Sequence, residues 1–342
     1  MKRKQLGRTG LMVTENSFGA LPIQRIDKQS AVELLHMAYD GGINFYDTAR
    51  AYSDSEEKLG EAFHDRRDKI VISTKSMAKD KAGLLKDLDE SLRMLRTDYV
   101  DIMQLHNIQS VPDPEDENGL YQGLLEAQRQ GKCRFIGITS HRRAIAEEAA
   151  KSGLYDTIQF PVSHISPQED IDLIALCKEL NLGFIAMKAL SGGLLTSAEA
   201  AYAFFQQFDN AVPIWGIQKK EELAQFLDCA ARGVTLTPEL KAVIDKDKEE
   251  LAGNFCRGCG YCMPCPQGIQ LNTICRLPQL LRRSPWQQYM NEYWTAELAK
   301  VETCLHCGLC ESRCPYGLKC SHLIAENLED WRQFRKEKGI AD

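Results

Sequence analysis

Residues 69–106 read KIVISTKSMAKDKAGLLKDLDESLRMLRTDYVDIMQLH and contain one complete repeat of the pattern that decides the fold. The runs at 69–75 and 99–106 are rich in β-branched and apolar residues, which favour strands. Between them, residues 81–95 carry apolar side chains at three- and four-residue spacing, the period of an amphipathic helix. A strand, a helix and a second strand in this order predict two parallel strands joined by a helical crossover.

The same unit repeats along the first two thirds of the chain. Further β-rich runs occur at 17–21, 43–47, 133–139, 157–160, 182–188 and 212–217, with helical patterns between them such as 28–42, 55–66, 120–132 and 168–180. Eight strand–helix units in about 230 residues predict a closed (β/α)8 TIM barrel rather than an open sheet. No G-x-G-x-x-G follows the first strand, which weakens the alternative of a Rossmann fold.

Composition limits the classes of function. The chain has 342 residues, of which 44% are hydrophobic and 26% charged, as in globular proteins. Its net charge of -6 argues against general nucleic-acid binding, which needs a basic surface. The sequence has no apolar run long enough to span a membrane and no apolar segment behind its basic N-terminus, so we expect a cytoplasmic protein without a secretory signal.

The thirteen cysteines are distributed unevenly. Three stand alone in apolar or helical stretches, as small buried side chains do: Cys133, Cys177 and Cys229. The other ten lie between residues 256 and 320. Cytoplasmic thiols are kept reduced, so this group indicates metal or cluster binding rather than disulfides.

The change in composition predicts a domain boundary. We expect a barrel at 1–236, a helical linker at 237–253 and a cysteine-rich domain at 254–342. The linker begins with Thr237, a typical helix N-cap, followed by Pro238, which is favoured at the first helical position.

Ionisable residues follow three consecutive predicted strands. They are Asp47, Lys75 and His106, and Tyr52 lies five residues beyond Asp47 in the loop before the next helix. Each alone has an ordinary explanation, as a helix cap, a solvated charge or a packing residue. Together they predict an active site, because the C-terminal strand ends of a (β/α)8 barrel meet at one mouth.

The segments around these residues resemble those of the aldo-keto reductases. They are GINFYDTARAYSDSEEKLG at 42–60, VISTK at 71–75 and LRTDYVDIMQLHN at 95–107, within a resemblance that covers about residues 4–232. The resemblance implies hydride transfer between a nicotinamide and a carbonyl carbon by a tetrad of Asp47, Tyr52, Lys75 and His106.

The chemistry explains the residue types of this tetrad. The carbonyl oxygen gains negative charge as hydride arrives, so a proton donor must stand beside it, and the resemblance assigns that role to Tyr52. Lys75, held by Asp47, is expected to lower the phenol pKa from about 10 towards the working range. His106 is expected to orient or polarise the substrate oxygen.

The resemblance also implies a set of contacts to the nicotinamide cofactor. Thr139 and Ser140 stand where the family has a Ser-Asn pair for the carboxamide, Gln159 stands where it has a Gln for the same amide, and Met187 replaces the aromatic residue that stacks on the ring. Gly19 and Ala20 end the first strand. The expected phosphate contacts are Lys188, Gly192 and Gly193 for the pyrophosphate, and Gly216 with Lys219 or Lys220 for a 2'-phosphate, which favours NADP over NAD.

The cysteines form two runs, FCRGCGYCMPCP at 255–266 and CLHCGLCESRCP at 304–315. The second has the C-x2-C-x2-C-x3-C-P spacing of bacterial [4Fe-4S] ferredoxins, while the first is one residue shorter before its last cysteine. A zinc site would leave half of these cysteines unused. The region resembles a ferredoxin-like domain found on some aldo-keto reductases, and its remaining sequence predicts helices.

We predict that each cluster takes its fourth ligand from the other run, because a fourth cysteine so close in sequence would have to bend back sharply. The first cluster would be held by Cys256, Cys259, Cys262 and Cys314. The second would be held by Cys304, Cys307, Cys310 and Cys265. Cys275 and Cys320 are spare thiols that could replace Cys265, although burial is their more ordinary role.

Three functions remain open from the sequence. The barrel reduces a small carbonyl substrate or oxidises an alcohol while the clusters are structural or regulatory. Alternatively, the clusters pass electrons from a ferredoxin-like or flavodoxin-like partner to the barrel. In the third, the barrel is a nicotinamide-binding sensor whose tetrad is a relic.

Overall fold

The structure is a computed structural model, and it describes residues 1–251 and 255–340. The end of the predicted linker and the start of the predicted cysteine-rich domain, at 252–254, lie outside the described residues, as do 341 and 342. The chain divides into two compact units. The first comprises Met1–Ala189 and Ser197–Ile244, and the second comprises Leu190–Thr196 and Asp245–Asp342.

The first unit is a closed barrel of eight parallel strands in chain order. A short antiparallel hairpin of β1 (Arg3–Gln5) and β2 (Met12–Thr14) precedes it. The barrel strands are β3 (Ser17–Gly19), β4 (Phe45–Asp47), β5 (Val71–Ser76), β6 (Val100–Leu105), β7 (Cys133–Thr139), β8 (Thr157–Pro161), β9 (Gly183–Met187) and β10 (Ala211–Gly216). β10 pairs with both β9 and β3, so the predicted barrel is confirmed.

A helix follows each barrel strand. They are α1 (Lys28–Asp40), α2 (Ser55–Phe63), α3 (Lys81–Leu95), α4 (Leu120–Arg129), α5 (Arg143–Ser152), α6 (Gln168–Glu179), α7 (Ala198–Phe205) and α8 (Lys220–Arg232). In α3, Asp80 caps the first turn by accepting a hydrogen bond from Gly83 N at 2.7 Å. The apolar positions of α3 correctly predict which face of the helix is buried: Leu84 and Leu88 are both fully buried.

Helix α9 (Pro238–Glu250) occupies most of the predicted linker. Thr237 Oγ1 accepts a hydrogen bond from Leu240 N at 3.3 Å, as an N-cap does. The two units divide within this helix, between Ile244 and Asp245.

The hairpin supplies a core that the strand pattern does not predict. Leu6, Leu11 and Val13 are buried against barrel side chains that include Phe45 and Val71, the first residues of β4 and β5. The hairpin therefore fills the end of the barrel at which the strands begin, opposite to the end that carries the tetrad. Its two strands have only three residues each, too few for a period-two pattern to be recognised.

The second unit is helical, as predicted. Its helices are the end of α9 and α10 (Leu271–Ile274), α11 (Leu277–Arg283), α12 (Glu292–Ala299), α13 (Leu309–Arg313) and α14 (Cys320–Glu337). One core contains apolar residues such as Ile269, Ile274 and Leu298 together with four buried cysteines, Cys256, Cys262, Cys275 and Cys320. Short 3-10 turns occur at Gly7–Thr9, Pro22–Arg25, Arg67–Lys69, Trp286–Tyr289 and Lys300–Thr303.

Within the described ranges, no helix combines the length and the apolar character needed to cross a membrane.

Candidate active site and cysteine groups

Asp47 and Lys75 form a buried ion pair at the C-terminal ends of neighbouring strands. Asp47 ends β4, and the pairing of Asp47 with Ser73 on β5 brings Lys75 to its side. Lys75 Nζ donates to Asp47 Oδ2 at 2.5 Å and to Thr48 O at 2.6 Å, and both charged side chains are at most 2% exposed. The ammonium is therefore fixed in position by the barrel itself.

The rings of Tyr52 and His106 meet beside this pair. The ring centroids are 5.7 Å apart, and the ring planes are nearly perpendicular. Lys75 Nζ lies 5.2 Å from the centre of the Tyr52 ring. A short turn holds Tyr52, because its amide donates to Ala49 O and its carbonyl accepts from Ser55 N. The four predicted tetrad residues thus form one group within the first unit.

The electrostatics of this group differ in one respect from the expectation. Removal from water raises the pKa of Tyr52 well above its ordinary range, and the Asp47 carboxylate acts in the same direction. The expectation that Lys75 lowers the pKa of Tyr52 is therefore wrong for this structure. The main reason is burial, which disfavours the charged phenolate, and the Asp47 carboxylate adds to the same shift.

Lys75 and His106 shift in the other direction. Burial lowers the pKa of Lys75, although Asp47 opposes the shift. Burial and, after it, the charge of Lys75 lower the pKa of His106 to about 3. The imidazole is therefore neutral near pH 7 and can donate only one hydrogen bond. Its Nδ1 is buried without a hydrogen-bond partner among the described residues.

The sequence analysis missed Gln104, a polar residue of the barrel interior that contacts the predicted cofactor residue Gln159. Gln104 Nε2 donates to Ser73 Oγ at 2.6 Å and to Gln159 Oε1 at 2.8 Å, and it lies 3.4 Å from Asp47 Oδ1. Gln159 Nε2 lies 3.4 Å from Asp47 Oδ2. Gln104 stands two residues before His106, so the alternation of side chains along β6 was a signal that pointed to it.

A buried carboxylate outside the tetrad supports the loop that carries Tyr52. Glu56 is 1% exposed, accepts from Thr74 Oγ1 at 2.6 Å and pairs with Arg50 Nη1 at 2.7 Å. Thr74 precedes Lys75 on β5, and Arg50 N donates to Lys75 O at 3.0 Å. These contacts tie the Tyr52 loop to the lysine strand.

The predicted nicotinamide contacts lie at strand ends of the first unit. Gly19 pairs with Asp47 across the sheet, and Ala20 N donates to Asp47 O at 2.8 Å. Thr139 Oγ1 accepts from Asn107 N at 2.7 Å. The Ser140 hydroxyl donates to Ile108 O at 3.1 Å. Both hydroxyl groups are therefore engaged with the loop after β6, and a cofactor amide would have to share them.

The residues predicted to contact the nicotinamide ring and the pyrophosphate follow one another at the end of β9 and in the loop after it. Met187 and Lys188, both half-buried, belong to the first unit, and Lys188 adopts a positive φ of 55°. Gly192 and Gly193 belong to the second. A Cβ built on Gly193 would meet no atom within 4 Å, so the space beside this exposed backbone is open.

At the predicted 2'-phosphate corner, Gly216 ends β10 and Lys219 precedes α8. Lys220 is paired with Glu33 at 2.7 Å, so Lys219 is the better candidate of the two lysines. The Glu222 carboxylate accepts from the amides of Gln218 and Lys219 at 3.0 and 3.1 Å. A phosphate at this helix N-terminus would compete with that carboxylate.

Five cysteines line one pocket in the second unit. Four of them are the set predicted for the second cluster, namely Cys265, Cys304, Cys307 and Cys310. Cys262 and apolar residues such as Ile269 and Ile324 complete its wall. The donors fit an iron–sulfur cube, whose ligands are thiolates.

The other predicted cluster ligands are also neighbours. Cys262 interacts electrostatically with Cys256, Cys259 and Cys314, although Cys314 is more than fifty residues away in the chain. Gly258 N donates to Cys256 Sγ at 3.3 Å, as amides do around cluster thiolates. Burial raises the pKa of Cys262 to about 12, so these thiols must lose protons when they bind iron.

Cys320 and Cys275 lie next to this group. The Cys320 thiol is hydrogen-bonded to the thiols of Cys275 and Cys314, and Cys275 Sγ lies 3.9 Å from Cys320 O. Among the described residues, no group of His, Cys, Asp or Glu side chains is arranged to hold a single metal ion. A cube of four irons spreads its thiolates further apart than one ion does, so that finding does not bear on the clusters.

Comparison with protein families assigns both parts of the chain. The model of the Aldo/keto reductase family matches residues 10–246, well over half of the sequence. The chain belongs to the aldo/keto reductase family. A 4Fe-4S dicluster domain matches residues 255–319, a range that contains both cysteine runs and ends just before Cys320. The predicted family and its iron–sulfur extension are confirmed.

Curated relatives of this aldo/keto reductase match its barrel. An uncharacterized oxidoreductase of Bacillus subtilis (strain 168), YqkF, is 29% identical over 212 residues, 57% of this chain and 67% of that protein. L-galactose dehydrogenase of Arabidopsis thaliana is 30% identical over 213 residues, 56% of this chain and 66% of that protein. The chain thus spans about two thirds of the length of these relatives.

Solved structures share the barrel fold. The holo form of an aldo-keto reductase from Bacillus halodurans aligns with a TM-score of 0.64 and 23% identity over 72% of this chain and 96% of that one. An aldo-keto reductase from Klebsiella pneumoniae, solved in complex with NADPH, gives a TM-score of 0.60 and 22% identity over 72% of this chain and 95% of that one.

Proposed function

We propose that the barrel transfers hydride between NADP(H) and a small carbonyl or alcohol substrate. The observation that carries this proposal is the buried Lys75–Asp47 pair at 2.5 Å, placed beside the Tyr52 and His106 rings at the ends of β4, β5 and β6. When bound, the nicotinamide supplies or accepts the hydride. The protein's own side chains donate the proton, stabilise the developing charge and orient the substrate.

Tyr52 acts as the proton donor. Because its pKa is raised, the phenol keeps its proton until negative charge develops on the substrate oxygen. Lys75 Nζ, 5.2 Å from the ring, then stabilises the phenolate that remains, while Asp47 keeps the ammonium in place. His106, neutral because burial lowers its pKa to about 3, donates one N–H to the same oxygen and orients it.

The cofactor would be held by residues on both sides of β9 in the sequence. Thr139, Ser140 and Gln159 serve the carboxamide, Met187 covers the ring, and Gly19 and Ala20 border it. Lys188, Gly192 and Gly193 serve the pyrophosphate. Gly216 and Lys219 serve the 2'-phosphate, so NADP is preferred and NAD is the weaker ligand.

In the second unit we propose two [4Fe-4S] clusters with crossed ligands. Cys256, Cys259, Cys262 and Cys314 hold the first, and Cys304, Cys307, Cys310 and Cys265 hold the second. The support is the pocket lined by Cys265 with the second run and the interaction of Cys314 with the first. Their role is structural or regulatory, since a hydride donor needs no one-electron relay.

A second candidate function is electron transfer through the clusters. It is favoured by the exposure of Cys307 and of Leu305, which is 63% exposed, because both line the pocket of the second cluster and bring it close to solvent. In this case reduced clusters would drive turnover without nicotinamide, and NADPH would reduce the clusters. We expect NADPH alone to support turnover. We do not expect reduced clusters to drive turnover without nicotinamide, nor NADPH to reduce the clusters.

The test is an anaerobic screen of protein with reconstituted clusters. NADPH and NADH binding is followed by fluorescence, and a panel of aldehydes, ketones and alcohols is followed by NADPH oxidation or NADP reduction. Binding with turnover of a carbonyl supports the proposal. Tight NADPH binding without turnover of any compound would favour the sensor function, and absence of nicotinamide binding would refute hydride transfer.

A further inference from the structure

Gln104 is a buried amide in the interior of the barrel, and all of its side-chain contacts lie within the first unit. It stands on β6, two residues before His106, and is fully buried. The residues that it contacts, Asp47, Ser73 and Gln159, stand on β4, β5 and β8. All four residues fall in Met1–Ala189 of the first unit. Gln104 therefore connects the tetrad carboxylate with a residue proposed to hold the cofactor.

The two ends of the Gln104 amide have very different surroundings. Nε2 lies 2.6 Å from Ser73 Oγ, 2.8 Å from Gln159 Oε1 and 3.4 Å from Asp47 Oδ1. Oε1 is buried without a hydrogen-bond partner among the described residues, and such an acceptor is costly. The reverse orientation would place Oε1 against the Asp47 carboxylate, which cannot donate a hydrogen bond. The oxygen atoms around Nε2 therefore determine how this amide is turned.

The orientation of Gln104 fixes that of Gln159, which is also buried. Gln159 Oε1 accepts from Gln104 Nε2, so the Gln159 oxygen faces Gln104. Its Nε2 faces Asp47 Oδ2 at 3.4 Å. An amide nitrogen carries two N–H groups, and Asp47 is the one acceptor of Gln159 Nε2 among the described residues. The second N–H of Gln159 therefore remains for a ligand.

Gln159 lies next to the other residues proposed to hold the nicotinamide carboxamide. Thr139 pairs with Gln159 across β7 and β8, and Ser140 N donates to Gln159 O at 3.2 Å. The Ser140 hydroxyl already donates its one proton to Ile108 O at 3.1 Å, so towards a ligand it can only accept. Gln159 therefore offers the cofactor a donor that Ser140 does not.

We propose that Gln104 is a positioning residue that turns an N–H of Gln159 towards the nicotinamide, so that Gln159 binds the carboxamide through the carboxamide oxygen. The inference rests on the proposed function, which assigns Gln159 to the carboxamide. Gln104 does not touch the cofactor and acts only through Gln159. Without Gln104, the Gln159 amide turns over in a fraction of the molecules, and NADPH affinity falls in proportion to the fraction that can still donate.

Three ligands distinguish this role from a general effect on the fold. NADPH carries the carboxamide, its reduced 3-acetylpyridine analogue keeps the carbonyl oxygen but lacks the amino group, and 2'-phospho-ADP-ribose lacks the ring. Calorimetric titration measures their binding to the full-length protein with full iron content. Gln104→Met keeps the length of the side chain but removes its donor. We expect about fivefold weaker binding of NADPH and of the analogue, as the loss of one ordinary hydrogen bond predicts, and a change below about twofold for 2'-phospho-ADP-ribose.

Two further variants complete the comparison. Gln128→Met is the matched control, because Gln128 on helix α4 also donates one hydrogen bond, to Arg134 O at 3.0 Å, and all three ligands should bind it within about twofold of wild type. Gln159→Met should weaken NADPH binding at least as much as Gln104→Met does. Adding Gln104→Met to Gln159→Met should then have no further effect, because Gln104 acts only through Gln159.

Equal NADPH affinities of wild type and Gln104→Met would overturn the inference and leave the proposed function intact. So would equal weakening of all three ligands, or additive effects of the two Met substitutions, because either result indicates a disturbed fold. Weaker binding of NADPH alone would show that Gln159 contacts the carboxamide nitrogen and would refute the orientation.

A variant that fails to fold does not prevent the test. If Gln104→Met does not fold, Ser73→Ala replaces it with the same outcomes, because Ser73 Oγ is one of the two close acceptors that hold the Gln104 amide. Wild-type protein that does not bind NADPH would refute the proposed function itself, and the inference with it.

Discussion

The tetrad and the cysteines are both buried polar groups, but they are held in different ways. Lys75 has a carboxylate and a backbone carbonyl within 2.6 Å, and Gln104 bonds to two side chains on neighbouring strands. The cysteines face mainly one another: Cys320 bonds only weakly to Cys275 and Cys314, and burial raises the thiol pKa of Cys262 to about 12.

This difference shows where each region obtains its order. The tetrad is positioned by strand register and by hydrogen bonds that exist without a ligand, so the barrel should keep its shape in the absence of iron and nicotinamide. Neutral, weakly bonded thiols contribute little to the stability of the fold on their own. When cysteines bind a metal centre, the free energy of metal binding adds to the free energy of folding. The second unit should therefore depend on its clusters.

The largest expected effect tests whether the barrel site is ready for catalysis. Tyr52→Phe removes the proton donor but leaves its ring, so turnover should fall by about a thousandfold while NADPH binding stays nearly unchanged. NADPH oxidation gives the first quantity and fluorescence titration the second. Tyr121→Phe, on helix α4 of the same barrel, is the control. Near wild-type turnover of Tyr52→Phe would refute the assigned chemistry.

The next test concerns the dependence of the second unit on iron. Anaerobic protein should hold about eight iron and eight sulfide per chain, and Cys314→Ser should lower both to about four. Cys320→Ser should retain all of them, because Cys320 touches Cys314 without being assigned as a ligand. Analysis of iron and sulfide content distinguishes the two variants. If only Cys320→Ser lost iron, Cys320 and not Cys314 would be the ligand of the first cluster.

A smaller effect is expected from the support of the Tyr52 loop. Glu56→Ala leaves the Thr74 hydroxyl and the Arg50 guanidinium without their carboxylate and should lower the free energy of unfolding of the barrel by about 3 kcal/mol. Asp209→Ala breaks the exposed pair with Lys178 and should cost less than about 1 kcal/mol. Denaturant titration measures both, and equal losses would show that the Tyr52 loop is not held by Glu56.

Within a single pH unit, the smallest effect is a change in acid stability. Because the pKa of His106 falls from 6.5 to about 3 on folding, only the unfolded chain binds this proton between those pH values. His106 therefore favours unfolding as the pH falls through that window, by at most about 1.4 kcal/mol per pH unit. His106→Gln should flatten the pH dependence of unfolding below pH 6.5, whereas substitution of the exposed His64 should not. An unchanged slope would contradict the burial of His106 as a neutral imidazole.

Much of the barrel was predictable because its signals are local. Each strand is a short apolar run and each tetrad residue stands at or beside a strand end, so sequence order alone brings Asp47, Lys75 and His106 to one mouth. The raised pKa of Tyr52 was not predictable, since it depends on how far water is excluded and on whether Asp47 neutralises Lys75.

Long-range contacts were also beyond the sequence. The hydrogen bond from Arg276 to Gly192 joins residues 84 positions apart, and no pattern in either segment points to the other. The position of Gln104 could have been inferred from alternation with His106, but its partners Ser73 and Gln159 lie on two other strands.

The N-terminal hairpin has a practical consequence for anyone who shortens this protein. The family match begins at residue 10, yet Leu6 is fully buried and Arg8 N donates to Asn181 O at 2.7 Å. Gly7 lies so close to the start of β9 that a Cβ on it would be 2.3 Å from Gly183 N. A barrel that begins at residue 10 would expose to water the apolar side chains at the end where its strands begin. Truncated and fused versions of the protein should therefore keep the sequence from Arg3 onward.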